Sequence, residues 1–355
     1  MENSYDIIII GGGQSGLTCG YHLRRSNFSF LILDKQEKPG GAWNNAWDSL
    51  TLFSPAEHSS LAGWQMPKSE NLFPSKDEVI SYLHQYEEHY QLPIKRNAEV
   101  LSITNENKIF CLKTTQGDFY SKVVIGATGT WNNPFIPNIE GKELYKGIQI
   151  HSAHYKNAEL FKDLNVLVVG EGNSGAQLVA EISKVANVKW STKKEPQFLP
   201  DDVDGFSLFN TATAKYKAEK EGKPFIAENY DLGNIVMVPP VKEARDRGVL
   251  ISSGIFQKMD ENGIIWENGT KESFDVIVWC TGFEFATSFL KGLVEMDERG
   301  IVKTVESKVQ AIDGLWLVGY GGWTGFASAT LIGINRNVKL AIQEVEDYLL
   351  NSLKN

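Results

Sequence analysis

The chain has 355 residues, of which 42% are apolar and 22% charged, a composition typical of a globular protein and long enough for two domains of ordinary size. Its formal net charge of −9 argues against nucleic acid or an anionic membrane as the main partner. The sequence has no 18-residue apolar run and no N-terminal signal pattern, so we expect a soluble, cytoplasmic protein.

The cysteines exclude several kinds of site. Cys19, Cys111 and Cys280 are far apart in sequence and form no Cys-x-x-Cys motif. This leaves no disulfide framework, no zinc spacing and no thioredoxin-type redox pair. We interpret all three as small buried apolar residues.

The N-terminal stretch predicts a dinucleotide-binding site. Four consecutive isoleucines, residues 7–10, indicate a strand buried on both faces. The strand leads into a Gly-x-Gly-x-x-Gly motif, and residues 17–25 then predict a helix whose N-terminus favours phosphate groups. The motif supplies five predicted cofactor-binding residues: Gly11, Gly13, Gln14, Ser15 and Gly16.

A second strand is predicted at residues 28–33, and it ends in Asp34, 23 residues after Gly11. An acid at this position is placed to accept hydrogen bonds from a ribose diol. The loop at residues 39–43 has two adjacent glycines before a Trp, which suggests close approach to a flat ligand; the alternative is an ordinary turn with a packed Trp. Three further cofactor contacts are predicted here: Lys35, Gly41 and Trp43.

The next elements lead to a second buried strand. Ser75 and Glu78 have the spacing of a capping box, which predicts a helix over residues 75–90. Alternating runs from 98 to 122 predict β-strands. A buried strand follows at residues 123–129 and ends in Thr128 and Gly129, both predicted to contact the cofactor.

The opening pattern is then repeated. Residues 165–169 predict a buried strand, residues 176–184 a helix, and residues 188–192 a second strand. Between the first strand and the helix lies another Gly-x-Gly-x-x-Gly motif, which predicts a second nucleotide site. Its predicted binding residues are Gly170, Gly172, Asn173, Ser174 and Gly175.

The two predicted sites differ in the charge of the residue that lies 23 positions after the first glycine of each motif. Asp34 lies 23 residues after Gly11, whereas Lys193 lies 23 residues after Gly170 and is followed by Lys194. An acid favours a free ribose diol and a cation favours a 2′-phosphate, so we expect FAD in the first site and NADPH in the second. Lysine is a point charge, so we expect a modest preference, with NADH accepted too. The alternative is two solvated lysines at a strand end.

The rest of the chain returns to the first domain. Residues 200–240 show the least regular pattern, and the acidic run at 201–204 is interpreted as a solvated loop, since it lacks calcium-site spacing. Strands are predicted at residues 249–255, 263–267 and 274–283, the last carrying the predicted cofactor contacts Thr281 and Gly282. A strand at 315–319 and a helix at about 328–349 close the chain.

These elements predict an α/β fold with two Rossmann-like dinucleotide-binding domains, in which the NAD(P)H domain is inserted into the FAD domain. The FAD domain is expected to span residues 1–130 and 284–355, and the NAD(P)H domain residues 131–283. Two nucleotide sites in one chain favour an oxidoreductase that moves electrons between two cofactors.

With these motifs in view, the chain resembles the class B flavoprotein monooxygenases, which include the flavin-containing and the Baeyer–Villiger monooxygenases. The resemblance covers essentially the whole chain. It rests on both Gly-rich motifs, the Gly40–Trp43 loop, the Thr-Gly pairs and the pattern Tyr145-x-Gly147-x-x-x-His151-x-x-x-Tyr155. In the family this pattern begins with Phe, which Tyr145 replaces. The final Tyr and the chain length favour a compact bacterial flavin-containing member.

The resemblance implies that NADPH reduces FAD, that O₂ adds to C4a of the flavin, and that the resulting hydroperoxide gives one oxygen atom to a soft nucleophile. Sulfoxidation of small-molecule sulfides is expected first, then N-oxidation of amines or Baeyer–Villiger oxidation of small ketones. At the family level a homodimer is also expected. No metal is expected, because His151 and His154 have no further ligands at suitable spacing.

One departure from the family concerns the flavin face. Family members often carry an Asn beside the flavin in a Ser-Leu-x-x-Asn-x-Pro context, and this chain has Phe53 there. We predict Phe53 and Asn173 near the reacting flavin atoms, although Phe offers no hydrogen bond. The first alternative is therefore an NAD(P)H oxidase or flavin reductase that releases peroxide. The second is a non-catalytic flavin-binding module that uses residues 200–240 as a contact surface. The presence of two nucleotide sites argues against this second alternative.

Overall fold

The computed structural model describes residues 3–224, 234–325 and 327–352. The chain divides into two compact units. The first comprises Met1–Asn44, Pro55–Asn133 and Glu284–Asn355, and the second comprises Asn45–Ser54 and Pro134–Phe283. The second unit thus interrupts the first in sequence.

The elements follow one another in three runs. The first run lies in the first unit: β1 Ser4–Ile10, α1 Gln14–Leu23, β2 Phe30–Leu33, α2 Lys76–His89, β3 Ile94–Lys95, β4 Val100–Glu106, β5 Ile109–Thr114 and β6 Gly117–Gly126. The second run lies in the second unit: β7 Ile148–His151, β8 Asn165–Val169, α3 Asn173–Ile182, β9 Asn187–Ser191, α4 Gly205–Lys220, α5 Pro239–Asp246, β10 Phe256–Met259, β11 Gly263–Trp266, β12 Lys271–Ser273 and β13 Val276–Trp279. The last run returns to the first unit: β14 Thr304–Val305, β15 Lys308–Val309, β16 Leu315–Leu317 and α6 Ile334–Ser352.

The first unit is built on a mixed sheet with a parallel centre. Its strand order is β14-β15-β16-β6-β1-β2-β3, and the pairs from β16 through β3 are parallel. Strands β4, β5 and β6 form an antiparallel extension. Residues 7–9 of β1 and 123–125 of β6 are fully buried, as expected for central strands of a covered parallel sheet. The sequence prediction of an α/β fold is confirmed.

The second unit has a smaller parallel sheet of the same kind. Its order is β7-β13-β8-β9, with every pair parallel, and a separate antiparallel sheet is formed by β10, β11 and β12. Residues 166–168 of β8 and 276–278 of β13 are fully buried. Each unit thus has a buried parallel strand followed by a glycine-rich loop and a helix.

Residues 45–54 belong to the second unit, whereas the sequence prediction assigned them to the FAD domain. The reason is a set of backbone hydrogen bonds. The Asp48 N–H donates to the Lys156 carbonyl at 2.8 Å, and the Gly205 N–H donates to the Phe53 carbonyl at 2.7 Å. Such contacts between distant parts of the chain leave no local sequence pattern.

Other predicted elements also need correction. The stretch 200–240 contains the helix α4, whose first turn is capped by the Asp204 carboxylate accepting from the Ser207 N–H at 2.8 Å; residues 225–233 lie outside the described part. Residues 249–255 form no strand and contribute only an isolated bridge from Ser252 to Trp190. By contrast, the capping box of Ser75 and Glu78 at the start of α2 is confirmed.

The last helix begins at Ile334, six residues later than the predicted start at 328. Two hydroxyl groups hold the preceding segment as turns. The Ser328 hydroxyl donates to the Gly321 carbonyl at 2.9 Å, and the Thr330 hydroxyl accepts from the Gly333 N–H at 3.0 Å. Within the part of the chain that the structure describes, no helix is both long and apolar enough to cross a membrane.

Candidate functional site: two glycine-rich nucleotide cradles

The β1–α1 loop leaves open space only at its middle glycine. Gly11 has φ +109°, and a Cβ atom there would lie 2.5 Å from the Ala127 carbonyl oxygen. A Cβ atom on Gly16 would overlap the Gly11 carbonyl oxygen. At Gly13, in contrast, the nearest atom would be Cα of Gly41 at 3.9 Å. Chain packing therefore requires the first and third glycines, and the space beside the second is free for a ligand.

The β8–α3 loop repeats this geometry in the second unit. Gly170 has φ +127°, and a Cβ atom there would overlap the Cys280 carbonyl oxygen. A Cβ atom on Gly175 would overlap the Gly170 carbonyl oxygen, whereas a Cβ placed on Gly172 would have no atom of the described residues within 4 Å. Both α1 and α3 begin without a side-chain cap, so their first N–H groups face the open space of their own loops. Both loops fit a dinucleotide pyrophosphate.

Asp34 lies where the first cradle needs an acid. It directly follows β2 and is 4% exposed, and a Cβ atom on Gly12 would lie 2.6 Å from its Oδ2. Arg96 donates a short charged hydrogen bond to Asp34 and a second one to Glu87. One oxygen of Asp34 is thus paired with Arg96 while the carboxylate keeps further acceptor capacity for a ribose diol.

Sequence reasoning missed Arg96. The signal is the register of two parallel strands, because Leu33 of β2 pairs with Lys95 of β3, so the following residues, Asp34 and Arg96, become neighbours. That pairing joins residues 62 positions apart. Nothing in the spacing of a local motif indicates it.

The expectation that Lys193 occupies the place of Asp34 is wrong, because the strand register of the second unit differs by one residue from that of the first. Ile10 pairs with Leu33, and Val169 pairs with Ser191. The residue in the place of Asp34 is therefore Thr192, because the second unit reaches its second strand one residue sooner. Lys193 and Lys194 follow it and are exposed. They remain beyond the end of β9, the edge of the sheet at which the adenosine ribose is expected.

Thr192 cannot provide the carboxylate that Asp34 provides in the first unit. It is 4% exposed, and its hydroxyl shares a 2.6 Å hydrogen bond with the Ser252 hydroxyl. The Lys193 N–H instead donates to Oε2 of Glu171 at 3.1 Å. The carboxylate at this strand end is thus supplied by the glycine-rich loop.

The threonines of the two Thr-Gly pairs form hydrogen bonds where the chain leaves each sheet. Thr128 donates its hydroxyl to the Ala286 carbonyl at 2.6 Å, and Thr128 and Tyr320 share a 2.6 Å hydroxyl contact. Burial raises the pKa of Tyr320 to about 12, so its phenol stays protonated. In the second unit, Thr281 donates to the Phe135 carbonyl at 2.5 Å. Gly129 and Gly282, the two glycines of these pairs, both have positive φ.

Further predicted binding residues of the first unit surround its loop. A Cβ atom on Gly41 would lie 2.8 Å from Cα of Gly13, so the Gly41–Asn45 turn that carries Trp43 borders the loop. Gln14 donates to the Ala329 carbonyl at 2.7 Å, and Ser15 is buried. Lys35 pairs with Glu99 at 3.7 Å at the surface.

Phe53 and Asn173 both lie in the second unit. The Phe53 side chain is 38% exposed and its ring lies against Gly205. Asn173 opens α3, next to Ser174, and its side-chain oxygen accepts from the Val236 N–H at 2.8 Å while its amide donates to the Asn234 carbonyl at 3.3 Å. These two contacts use the side-chain oxygen and one of the two amide N–H groups of Asn173. Their predicted place beside the flavin stays a prediction.

The Tyr145–Tyr155 pattern is largely buried in the second unit. The Tyr145 hydroxyl donates to the Phe274 carbonyl at 2.8 Å, and Nδ1 of His151 accepts from the Ala153 N–H at 3.1 Å. Burial lowers the pKa of His151 to about 4, so the imidazole is neutral at neutral pH. Within residues 3–224, 234–325 and 327–352, no three potential metal-ligating side chains of His, Cys, Asp or Glu cluster.

Two nucleotide cradles in one chain define an oxidoreductase that passes electrons between two dinucleotides. Cys19 and Cys280 are buried as expected, and burial raises the pKa of both thiols, which disfavours the reactive thiolate; Cys111, expected to be buried too, is only half-buried.

Comparison with known proteins identifies the family. Residues 8–206 match the pyridine nucleotide-disulphide oxidoreductase family. The flavin-containing monooxygenase of Stenotrophomonas maltophilia has a similar structure, with a TM-score of 0.89 and 43% identity over 98% of this chain and 99% of its own. A CzcO-like oxidoreductase of Geobacillus kaustophilus is 30% identical over 97% of this chain and 99% of its own length. The senecionine N-oxygenase of Tyria jacobaeae is 26% identical over 81% of this chain and 60% of its own length.

The chain belongs to the flavin-containing monooxygenases, within the pyridine nucleotide-disulphide oxidoreductase family. The resemblance seen in the sequence is thereby confirmed. The protein is an enzyme, an oxidoreductase whose cofactors are FAD and NADPH. The alternative of a non-catalytic flavin-binding module is excluded.

Proposed function

We propose that this enzyme inserts one atom of O₂ into small, soft nucleophiles, with organic sulfides as its preferred class and amines or small ketones as further substrates. The observation that carries the proposal is the pair of complete glycine-rich cradles, each with free space at its middle glycine, Gly13 and Gly172. The 43% identity to a flavin-containing monooxygenase supports oxygen transfer, and similarity to an N-oxygenase supports amines as a second class.

In this proposal the chain binds and orients, and bound FAD supplies the oxygen-activating chemistry. The first cradle holds the FAD pyrophosphate at the N-terminus of α1, and Asp34 accepts from the ribose diol. The second cradle holds the nicotinamide dinucleotide at the N-terminus of α3. Lys193 and Lys194 attract its 2′-phosphate.

Phe53 favours a second candidate function, an NAD(P)H oxidase that releases peroxide. Its benzyl side chain offers no hydrogen-bond donor or acceptor where family members often have an Asn. Without a hydrogen bond from this position, more of the activated oxygen is expected to leave as peroxide before it meets a substrate. We therefore expect partial uncoupling in the natural enzyme.

One experiment separates oxygenation from peroxide release. The purified holoenzyme is mixed with NADPH in air, with and without methyl phenyl sulfide, while NADPH oxidation, peroxide and sulfoxide are followed together. Monooxygenation predicts sulfoxide that accounts for a substantial share of the NADPH consumed. Peroxide equal to NADPH loss, without oxygenated product from sulfides, amines or ketones, would favour the oxidase.

The F53N variant tests the role of Phe53 directly. Restoring an amide at this position is expected to lower the peroxide formed per NADPH by about threefold or more, since one neutral hydrogen bond contributes roughly 1 kcal/mol. F135N is the matched control, because Phe135 is also in the second unit and is 41% exposed. An unchanged peroxide yield in F53N would place Phe53 away from the reacting atoms.

A further inference from the structure

The second glycine-rich loop carries a carboxylate that the first one lacks. Glu171 follows Gly170 as Gly12 follows Gly11, so the two residues hold the same position in their loops. Oε2 of Glu171 accepts from the Lys193 N–H at 3.1 Å. The Glu171 carboxylate therefore lies at the carboxyl end of β9, although Glu171 itself belongs to the loop after β8.

The first unit shows what this location does. There the acid is Asp34, which follows β2, and a Cβ atom on Gly12 would lie 2.6 Å from its Oδ2. A side chain on the loop and an acid at the strand end thus compete for one space. The first unit fills it from the strand with Asp34, and the second fills it from the loop with Glu171, while Thr192 takes the strand-end position.

We propose that Glu171 sets the preference of the second site between NADH and NADPH, by accepting hydrogen bonds from the free adenosine ribose diol of NADH. This inference rests on the proposed assignment of the second cradle to a nicotinamide dinucleotide. A carboxylate pairs well with two hydroxyl groups and repels a phosphate dianion. Lys193 and Lys194 attract that same phosphate. The site thus balances one acid against two cations, which predicts that it binds both NADH and NADPH.

The E171Q variant isolates the charge, because glutamine keeps the length of the side chain and an acceptor for the Lys193 N–H. The probes are the redox-inactive fragments 5′-AMP and 2′,5′-ADP, titrated calorimetrically into the FAD-loaded enzyme. We expect 5′-AMP to bind about tenfold more weakly and 2′,5′-ADP at least as tightly as in the natural enzyme, since a charged hydrogen bond contributes roughly 1.5 kcal/mol or more. E195Q, which neutralises an exposed acid close to the lysines, is the control and should leave both affinities unchanged.

Two outcomes would overturn the proposal. If E171Q binds both fragments as the natural enzyme does, the Glu171 charge plays no part in recognition. If it weakens both equally, Glu171 only holds the loop in shape. FAD content and the melting temperature report folding, and E171A gives a second measurement, in which the same shift in the affinity ratio is expected. These results are independent of turnover, so a failure of oxygenation would leave them interpretable.

Discussion

At the scale of single residues, Arg96 pairs with the acid of the first cradle, Asp34. Its side chain is 17% exposed and lies between Asp34 and Glu87, whose side chains are 5% and 14% exposed. Arg96 therefore compensates two carboxylates that have little contact with solvent. Without it, the acid expected to hold the ribose would be buried next to an uncompensated neighbour.

We expect R96M to lower the affinity for FAD by about tenfold and the free energy of unfolding by about 3 kcal/mol, because breaking a buried ion pair leaves charges unpaired. FAD titration of the apoprotein and urea denaturation measure the two effects. E87Q is the control, since it leaves the contact between Arg96 and Asp34 in place. If R96M binds FAD as tightly as the natural protein does, Arg96 has only a structural role, in which it links the end of β3 to α2.

Lys193 and Lys194 give a second prediction at this scale. Replacing both with Ala should raise the Kd of NADPH about fivefold to tenfold and change that of NADH by less than twofold, because only NADPH carries the 2′-phosphate. Binding titrations with the two nucleotides test this. Equal losses would show that the lysines attract nucleotides through general charge alone.

At the scale of elements, the two strand–loop–helix cradles assign different tasks to their glycines. Gly16 and Gly175 allow the helix to pack on the loop, since a Cβ atom on either would overlap a backbone carbonyl. A Cβ atom on Gly13 would meet Gly41 only at van der Waals distance, and one on Gly172 would have no described atom within 4 Å. The first and third glycines of each cradle therefore serve folding, and the middle one serves the ligand.

This division predicts opposite results for two alanine variants of the second cradle. G172A is expected to keep its melting temperature and lose about tenfold or more in NADPH affinity, because the new methyl group occupies the space of the pyrophosphate. G175A is expected to lose about 2 kcal/mol of stability, since overlap with the Gly170 carbonyl outweighs the roughly 1 kcal/mol that Ala gains over Gly in a helix. A stable G175A would contradict the packing role.

At the scale of the whole molecule, His151 links stability to pH. Burial lowers its pKa to about 4, below the unfolded value of about 6.5, so the folded state binds fewer protons than the unfolded state. The His151 contribution is fully present above pH 6.5 and is lost as the pH falls towards 4. Protonation would also abolish the hydrogen bond that Nδ1 accepts from the Ala153 N–H.

We expect the natural protein to lose about 2 kcal/mol more stability than H151N between pH 8 and pH 5. Asparagine cannot titrate and still offers an oxygen to the Ala153 N–H, as N-cap residues do. Urea unfolding at the two pH values measures the difference. The same pH dependence in both proteins would assign the acid sensitivity to other groups.

Both cradles could be predicted from the sequence, because strand, glycine-rich loop and helix are contiguous and the third glycine of each motif packs on a carbonyl of its own loop. The family could also be predicted from the sequence, because the motifs and their spacing are visible in it. The tertiary structure alone decided three other points: that Thr192 rather than Lys193 stands in the place of Asp34, that Arg96 pairs with that acid, and that residues 45–54 join the second unit. Each depends on strand register or on hydrogen bonds between residues far apart in the chain, and such contacts leave no periodicity in the sequence.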